Sequence, residues 1–391
     1  MRNEKPLKPQ KTVFILGAGF SIPAGGPNQA LLLQQIFHLG DRPSQVCVCK
    51  KQLRRFLIRV LKASSKSVND VLLEDIYTPI DRCLADGVSL RDVSPRQLQT
   101  LRGQMEYLIT VAIDRSFNST PRSAKQYAVD FAAYLVSKAS HRAKLAERTD
   151  SAQAAKDYDP FSIISLNWDI LLDRCLHEQL RRRDRGRSGD YDPFGVVDYC
   201  CYISSVEAND KRVRPGLWTL GARGYNVKLL KIHGSMNWLQ CSNCQRLFVA
   251  FDRKATIPNY LHPIICRYCQ RYGINATLRG ALVMPTFLKD LSNFQIKLVW
   301  QNAGVELMEA TRIVFIGYSL PHADFEFRQL LSRMLQKNAE VHVVLFRKNT
   351  RDGIRKYREE CNRYRQFFSG HRLTFEPGGV VTFVKKLCAK K

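Results

Sequence analysis

The chain has 391 residues, 45% hydrophobic and 25% charged, which suits a folded protein with a full core and excludes a disordered one. Sixty-one Lys and Arg against 35 Asp and Glu leave a net charge of +26, too large a surplus for one small anionic ligand to explain. No apolar run approaches the roughly 18 residues of a membrane span, and the apolar segment Val13 to Leu16 is too short for a signal peptide.

The first element expected is a buried strand at 12–16, followed by a glycine cluster and a helix at 28–39. Strand, glycine turn and helix can hold a phosphate, because glycine admits close backbone approach and a helix N-terminus attracts negative charge. The usual dinucleotide spacing fails, however: after Gly17 and Gly19 the third glycine falls at Ile22. From about 50 to 158 apolar residues recur at three- and four-residue steps, which predicts an inserted all-helical module. Ser94 before Pro95 reads as a cap and first-turn proline within it. The basic run RRRDRGR at 181–187 is open to two readings, a solvated loop or a contact with nucleic acid or a partner.

Alternation of β and α then returns. Strands are expected at 161–166, 227–232, 281–285, 312–317 and 340–346, each ending in a polar tip. In an open parallel sheet those carboxyl ends are where ligands bind. The fold class is therefore α/β: a Rossmann-like parallel sheet with helices on both faces, the helical module, and a small zinc-ribbon module at 238–275. The chain is taken as one catalytic domain, 1–391, carrying both inserts.

Four cysteines, Cys241, Cys244, Cys266 and Cys269, form a C-x2-C pair, a 21-residue gap and a second C-x2-C pair. Four thiolates so spaced make a closed tetrahedral Zn2+ site, which is structural because no ligand position stays open. This usage, within twelve cysteines in all, fits a reducing cytoplasm. His233 follows a strand and could take a proton near neutral pH, or be merely structural. Asn167 and Asp169 sit at another strand tip, where they could serve a site or cap the following helix. Gly317 and Ser319 suit a phosphate contact or a plain turn. No Walker P-loop, G-x-S-x-G elbow or H-E-x-x-H occurs, which removes the main support for nucleoside-triphosphate hydrolysis, serine hydrolysis and zinc proteolysis.

In order, GAGFS, NWD, KIHGSMNW, the four-cysteine module and GYSLP resemble the sirtuin-like superfamily across roughly residues 12 to 347. The resemblance implies NAD as substrate, its phosphates held by Gly17, Ala18, Gly19 and Ser21. It implies Asn167 beside the nicotinamide ribose, Asp169 near the carboxamide, His233 as catalytic base, and Gly317 and Ser319 on the adenosine side. Departures matter too. Leu166 replaces the glutamine of the deacylases, Gly26-Pro27-Asn28-Gln29 replaces their I-P-D-F-R continuation, and ALVMPTFLKD stands where their peptide-binding V-x-F-G-E strand would be. The pattern looks more like the prokaryotic sirtuin-like NAD hydrolases of antiphage defence. That implies an NAD glycohydrolase, commonly an oligomer and triggered by a partner such as an ATPase or a nucleic-acid-guided protein. A deacylase or ADP-ribosyltransferase, and a non-catalytic nucleotide-binding assembly subunit, are the alternatives.

Overall fold

The computed structural model describes residues 10–64, 68–148, 160–185, 194–207, 213, 224–250, 256–286, 289 and 291–389. Most of the run at 181–187 lies outside them or carries no described side chains.

Strand β1 (Thr12–Leu16) leads into tight 3-10 turns and helix α1 (Leu32–His38). Four longer helices follow: α2 (Ser44–Arg59), α3 (Leu73–Asp86), α4 (Pro95–Asn118) and α5 (Gln126–Arg148). At the start of α4, Ser94 and Gln97 form a reciprocal capping box with Pro95 in the first turn. Helices α1 to α4 close around their own apolar core of Leu53, Leu57, Ile76, Tyr77 and Leu108. Helix α5 instead packs on the sheet, where Phe131 meets Phe14 edge-on with centroids 5.4 Å apart.

The chain continues through β2 (Phe161–Ser165), α6 (Leu171–Arg185), β3 (Gly195–Asp198), β4 (Ile203–Ser205), β5 (Tyr225–Lys231), β6 (Gly234–Cys241) and β7 (Leu247–Val249). Two short helices, α7 (Thr256–Leu261) and α8 (Arg267–Gln270), precede β8 (Leu278–Leu282). Then come α9 (Phe294–Glu309), β9 (Arg312–Ile316), α10 (Phe325–Met334), β10 (Glu340–Val344), α11 (Arg351–Phe367), β11 (Leu373–Glu376) and α12 (Gly379–Ala389).

Seven strands form one parallel sheet in the order β11-β10-β9-β1-β2-β5-β3. Its central strands are apolar on both sides, as burial on two faces requires. Helices α5, α6 and α12 cover one face; α9, α10 and α11 cover the other, where Phe315 of β9 packs on Tyr364. The doubly wound parallel sheet is thus present. Successive strands run from β1 to β2 on one side and reach β9 on the other, so the order reverses at the carboxyl end of β1. That reversal is the usual seat of a ligand.

One strand differs from expectation. The run at 281–285 is not a strand of the parallel sheet; Ala281 and Leu282 end β8, which pairs antiparallel with β6 in a separate sheet ordered β4-β7-β6-β8. A short buried apolar run has the same appearance in either setting. The second sheet carries the cysteine cluster.

Candidate functional site

The glycine loop is built against the loop after β9. A Cβ on Gly17 or Gly19 would lie 2.6 Å from the Cα of Tyr318 or Gly317 respectively, so both positions exclude a side chain. Gly19 donates its amide to the Gly317 carbonyl at 2.8 Å, and Gly17 to that of Ile316 at 3.0 Å. Phe20 donates to Gly17 and Ser21 to Ala18, which leaves Ala18 as the loop residue whose amide those bonds do not take up. The glycines here therefore join two strand-end loops as well as opening room for a ligand. The hydroxyl of Tyr127 on α5 donates to the Phe20 carbonyl and braces the turn from behind.

Asn167 follows β2 and donates from its amide nitrogen to the Gly17 carbonyl (3.0 Å) and to Ser21 Oγ (3.3 Å). Asp169 accepts from Ser21 Oγ at 2.7 Å and, through its other oxygen, from the Leu171 amide at 3.0 Å. It both caps α6 and fixes Ser21, so the capping alternative raised from sequence describes half of what it does. Burial pushes the Asp169 carboxyl up, against the opposing charge of Lys231.

Lys231, wholly buried at the end of β5, was not singled out from sequence. Its ammonium donates to the Asp169 carbonyl (2.5 Å) and lies 3.1 Å from Asp173, which also accepts from Tyr199 at 2.8 Å. The available signal was a lysine directly after the apolar pair Leu229 and Leu230 in a strand leading to His233, where a buried charge persists only if paired.

His233 comes two residues later. Its Nδ1 donates to the Leu166 carbonyl at 3.1 Å, an assignment the geometry dictates because a carbonyl can only accept. Nε2 then carries the lone pair. It is buried, with no hydrogen-bond partner among the described residues, and faces Asp324 Oδ1 at 3.7 Å. Burial is the main cause holding the His233 pKa below the ordinary histidine value; Asp324 opposes that shift and Lys289 adds to it. The imidazole is neutral at pH 7. The turn at Gly234 (φ +70°) leaves no room for a Cβ beside the Ala281 carbonyl.

Gly317 and Ser319 complete the cleft. The φ of +63° at Gly317 requires glycine, while Leu320, fully buried, is held at φ +53°. Tyr364 and Arg363 donate to the carbonyls of Tyr318 and Ser319, tying this loop to α11. Asp324, also missed from sequence, accepts from the Tyr318 hydroxyl at 3.0 Å and pairs with Lys289 at 3.2 Å.

One cleft at the carboxyl ends of β1, β2, β5 and β9 is thus lined by Gly17, Ala18, Ser21, Asn167, Asp169, His233, Gly317 and Ser319. Gly19 packs just behind it. A larger cavity of about 470 Å³ lies elsewhere, between the end of β3 and the cysteine cluster. Of the residues singled out from sequence it touches Cys244 alone, so size does not mark the site here.

Cys241, Cys244, Cys266 and Cys269 converge, with all four Sγ atoms within 4.8 Å of one another. Cys241 and Cys269 are 3.6 Å apart at sulfur, Cys244 and Cys266 3.7 Å. Four sulfurs on a tetrahedron of roughly 2.3 Å Zn–S bonds would stand about 3.8 Å apart, so the set fits Zn2+.

No protein-family model matches the sequence, and no curated protein matches it. Among solved structures, one described as the structural basis for sirtuin substrate affinity is similar at 14% identity, covering 97% of this chain and 92% of that one, with a TM-score of 0.35. A Sir2 mutant with a p53 peptide and NAD is similar at 13% identity over 97% and 92%, TM-score 0.34. Sir2 with the inhibitor EX-527, 2'-O-acetyl-ADP-ribose and a deacetylated p53 peptide is similar at 13% over 97% and 93%, TM-score 0.35. Overlaps this low carry no functional weight.

Proposed function

We propose that the protein is an NAD glycohydrolase that cleaves NAD to nicotinamide and ADP-ribose, serving as a triggered antiphage effector that depletes NAD. The observation that carries this reading is His233, which lines the cleft with Asn167 and the glycine loop and whose buried Nε2 has no hydrogen-bond partner among the described residues. In the reaction the bond from ribose C1' to the nicotinamide nitrogen breaks, and its electron pair leaves with nicotinamide. Water adds to C1' and gives up a proton. His233 Nε2 is the acceptor within reach of that chemistry. Asn167 orients the loop and the ribose, Asp169 acts through Ser21, and Ala18 offers the amide for a phosphate.

The alternative of protein deacylation loses support from the segment that would bind a peptide strand. Val283 donates to the His233 carbonyl at 3.0 Å, and its own carbonyl accepts from Trp168 at 3.1 Å. Strand addition needs such groups unpaired.

The four thiolates would hold Zn2+, which supplies rigidity rather than chemistry because the ligand set is closed. We further propose one catalytic domain with a helical insert and a zinc module, acting in the cytoplasm as a homo-oligomer with a triggering partner. Nucleic acid is a candidate trigger, since α2 carries Lys50, Lys51, Arg54, Arg55 and Arg59 and no acidic residue. The test is product analysis with purified protein, with and without DNA. Nicotinamide and free ADP-ribose in equal amounts, lost in His233→Ala, are expected; O-acetyl-ADP-ribose formed only with an acetylated peptide would instead establish a deacylase.

A further inference from the structure

The surface of the cysteine module carries charge that NAD cleavage does not use. The pair Arg-Tyr occurs at 267–268 and again at 271–272, so basic and aromatic side chains alternate there, as they do not in the run at 181–187. The module's described residues, 241–250 and 256–280, hold Arg246, Arg267, Arg271 and Arg279 and no Asp or Glu. Zinc on four thiolates would leave a charge of about −2, which those arginines exceed. Two acids lie on the neighbouring segment: Asp198, whose oxygens accept from the Cys200 amide and from Asn226, and Glu207.

Three of the arginines converge on one ring. The guanidinium carbon of Arg246 lies 4.1 Å from the centroid of Tyr268, that of Arg267 5.2 Å and that of Arg271 5.5 Å. No two of them can then be more than about 11 Å apart, close to the screening length of physiological salt, so they present one concentrated field. Arg267 also sits over the buried Phe248 and donates to the Val206 carbonyl at 3.1 Å. None of the three forms an ion pair among the described residues, and Arg246 and Arg271 are exposed. Side chains already held in place give up less freedom on meeting a phosphate than free ones do.

Two tyrosines stand out of the same region. Tyr272 follows Arg271 and is 83% exposed. Tyr202, 74% exposed, comes two residues before Ser204, whose hydroxyl lies 3.5 Å from that of Tyr268. Exposed aromatic rings beside guanidinium groups are what unpaired bases stack on, while the positive charge takes the backbone phosphates. A duplex hides its base faces, and an acidic peptide has none.

We propose that the face of the cysteine module formed by Arg246, Arg271, Tyr272 and Tyr202 around Tyr268 binds single-stranded nucleic acid. Phosphates pair with Arg246 and Arg271, and bases stack on Tyr272 and Tyr202. This does not rest on the NAD reading; it gives the nucleic acid named there as a trigger a surface other than α2.

The test is fluorescence anisotropy of the full chain with a labelled oligothymidylate of about 20 nucleotides, long enough to cross one such face, and with a duplex of the same length. Tyr272→Ala is expected to weaken single-strand binding about five- to a hundredfold, the scale of one lost base stack, and duplex binding by less than about twofold. Tyr202→Ala, which lies outside the cysteine pairs, is expected to act in the same direction and decides the matter if Tyr272→Ala loses zinc. Arg246→Gln and Arg271→Gln should each reduce the slope of log affinity against log salt by about 0.7, one phosphate contact. Four results would each overturn the assignment. They are no single-strand binding by the wild type, equal losses on the duplex, competition by poly-glutamate as effective as by unlabelled oligothymidylate, and a salt slope that responds to Arg54→Gln with Arg55→Gln but not to Arg246→Gln or Arg271→Gln. In every case the NAD reading stands or falls by its own products.

Discussion

Replacing Lys231 with methionine tests whether the buried charge under the cleft holds the site in place. Lys231 is wholly buried and contacts two acidic residues at once, the Asp173 carboxylate and the Asp169 backbone carbonyl. Methionine fills similar volume but leaves the buried Asp173 carboxylate with the Tyr199 hydroxyl as its remaining hydrogen-bond donor among the described residues. Breaking a buried pair in this way costs about 3–5 kcal/mol, and the remaining Tyr199 bond puts Lys231→Met near the lower end, about 3 kcal/mol. Removing both charges, as Lys231→Met with Asp173→Leu, leaves no orphaned carboxylate, so the double variant should be more stable than the sum of the two single losses by about 1 kcal/mol or more. Urea unfolding followed by tryptophan fluorescence and by far-UV circular dichroism measures this. A loss below about 1 kcal/mol for Lys231→Met, or strict additivity in the double variant, would show that the pair does not act as described. Because Asp169 and His233 flank this lysine, the single variant should also slow NAD cleavage under conditions where it remains folded.

Four further outcomes are expected. The acid limb of kcat/KM for NAD cleavage should have its midpoint below the ordinary histidine value of about 6.5, since burial depresses the His233 pKa and the neutral form is the base; a midpoint at 7 or above would refute the assignment. The same depressed pKa makes stability fall with acid, because below about pH 6.5 the unfolded imidazole binds a proton that the folded one resists. Metal analysis of purified protein should find one zinc per chain, and Cys266→Ser or a strong chelator should lower the thermal midpoint while leaving the parallel sheet's circular dichroism at lower temperature; zinc-free protein of unchanged midpoint would contradict a structural role. Gly19→Ala should abolish nucleotide binding, or prevent folding, because its Cβ has no space against Gly317; a folded variant with wild-type affinity would show that the two loops are not so closely joined.

Much of this organisation is legible in the residues. The strands at 12–16, 161–166, 227–232, 312–317 and 340–346 correspond to β1, β2, β5, β9 and β10 within a residue or two, since fully buried parallel strands read as continuous apolar runs. The cleft follows, because polar residues after β1, β2, β5 and β9 come to the same edge of the sheet. The run at 281–285 misled, as burial alone does not tell a parallel from an antiparallel neighbour. Strand β6 hid behind Gly234, Ser235 and Asn237, whose polar character suggests a loop although all three are buried. Asp324 and Lys289 belong to no recognisable motif; their meaning arises only when the loop after β9 meets the segment before α9. Asp169 shows the opposite limit. From sequence a cap and a site residue were alternatives; in the structure one oxygen accepts from the Leu171 amide while the other holds Ser21 of the glycine loop.

The central claim is that this cleft hydrolyses NAD with His233 as base. The most direct measurement is a time course of nicotinamide and ADP-ribose from purified full-length protein, across protein concentrations and with DNA present or absent, beside His233→Ala and Asn167→Ala. Equal release of both products by the wild type and a loss of at least about a hundredfold in the His233 variant are expected. Cleavage at the wild-type rate by His233→Ala, or release of nicotinamide only when an acyl-peptide acceptor is supplied, would contradict it.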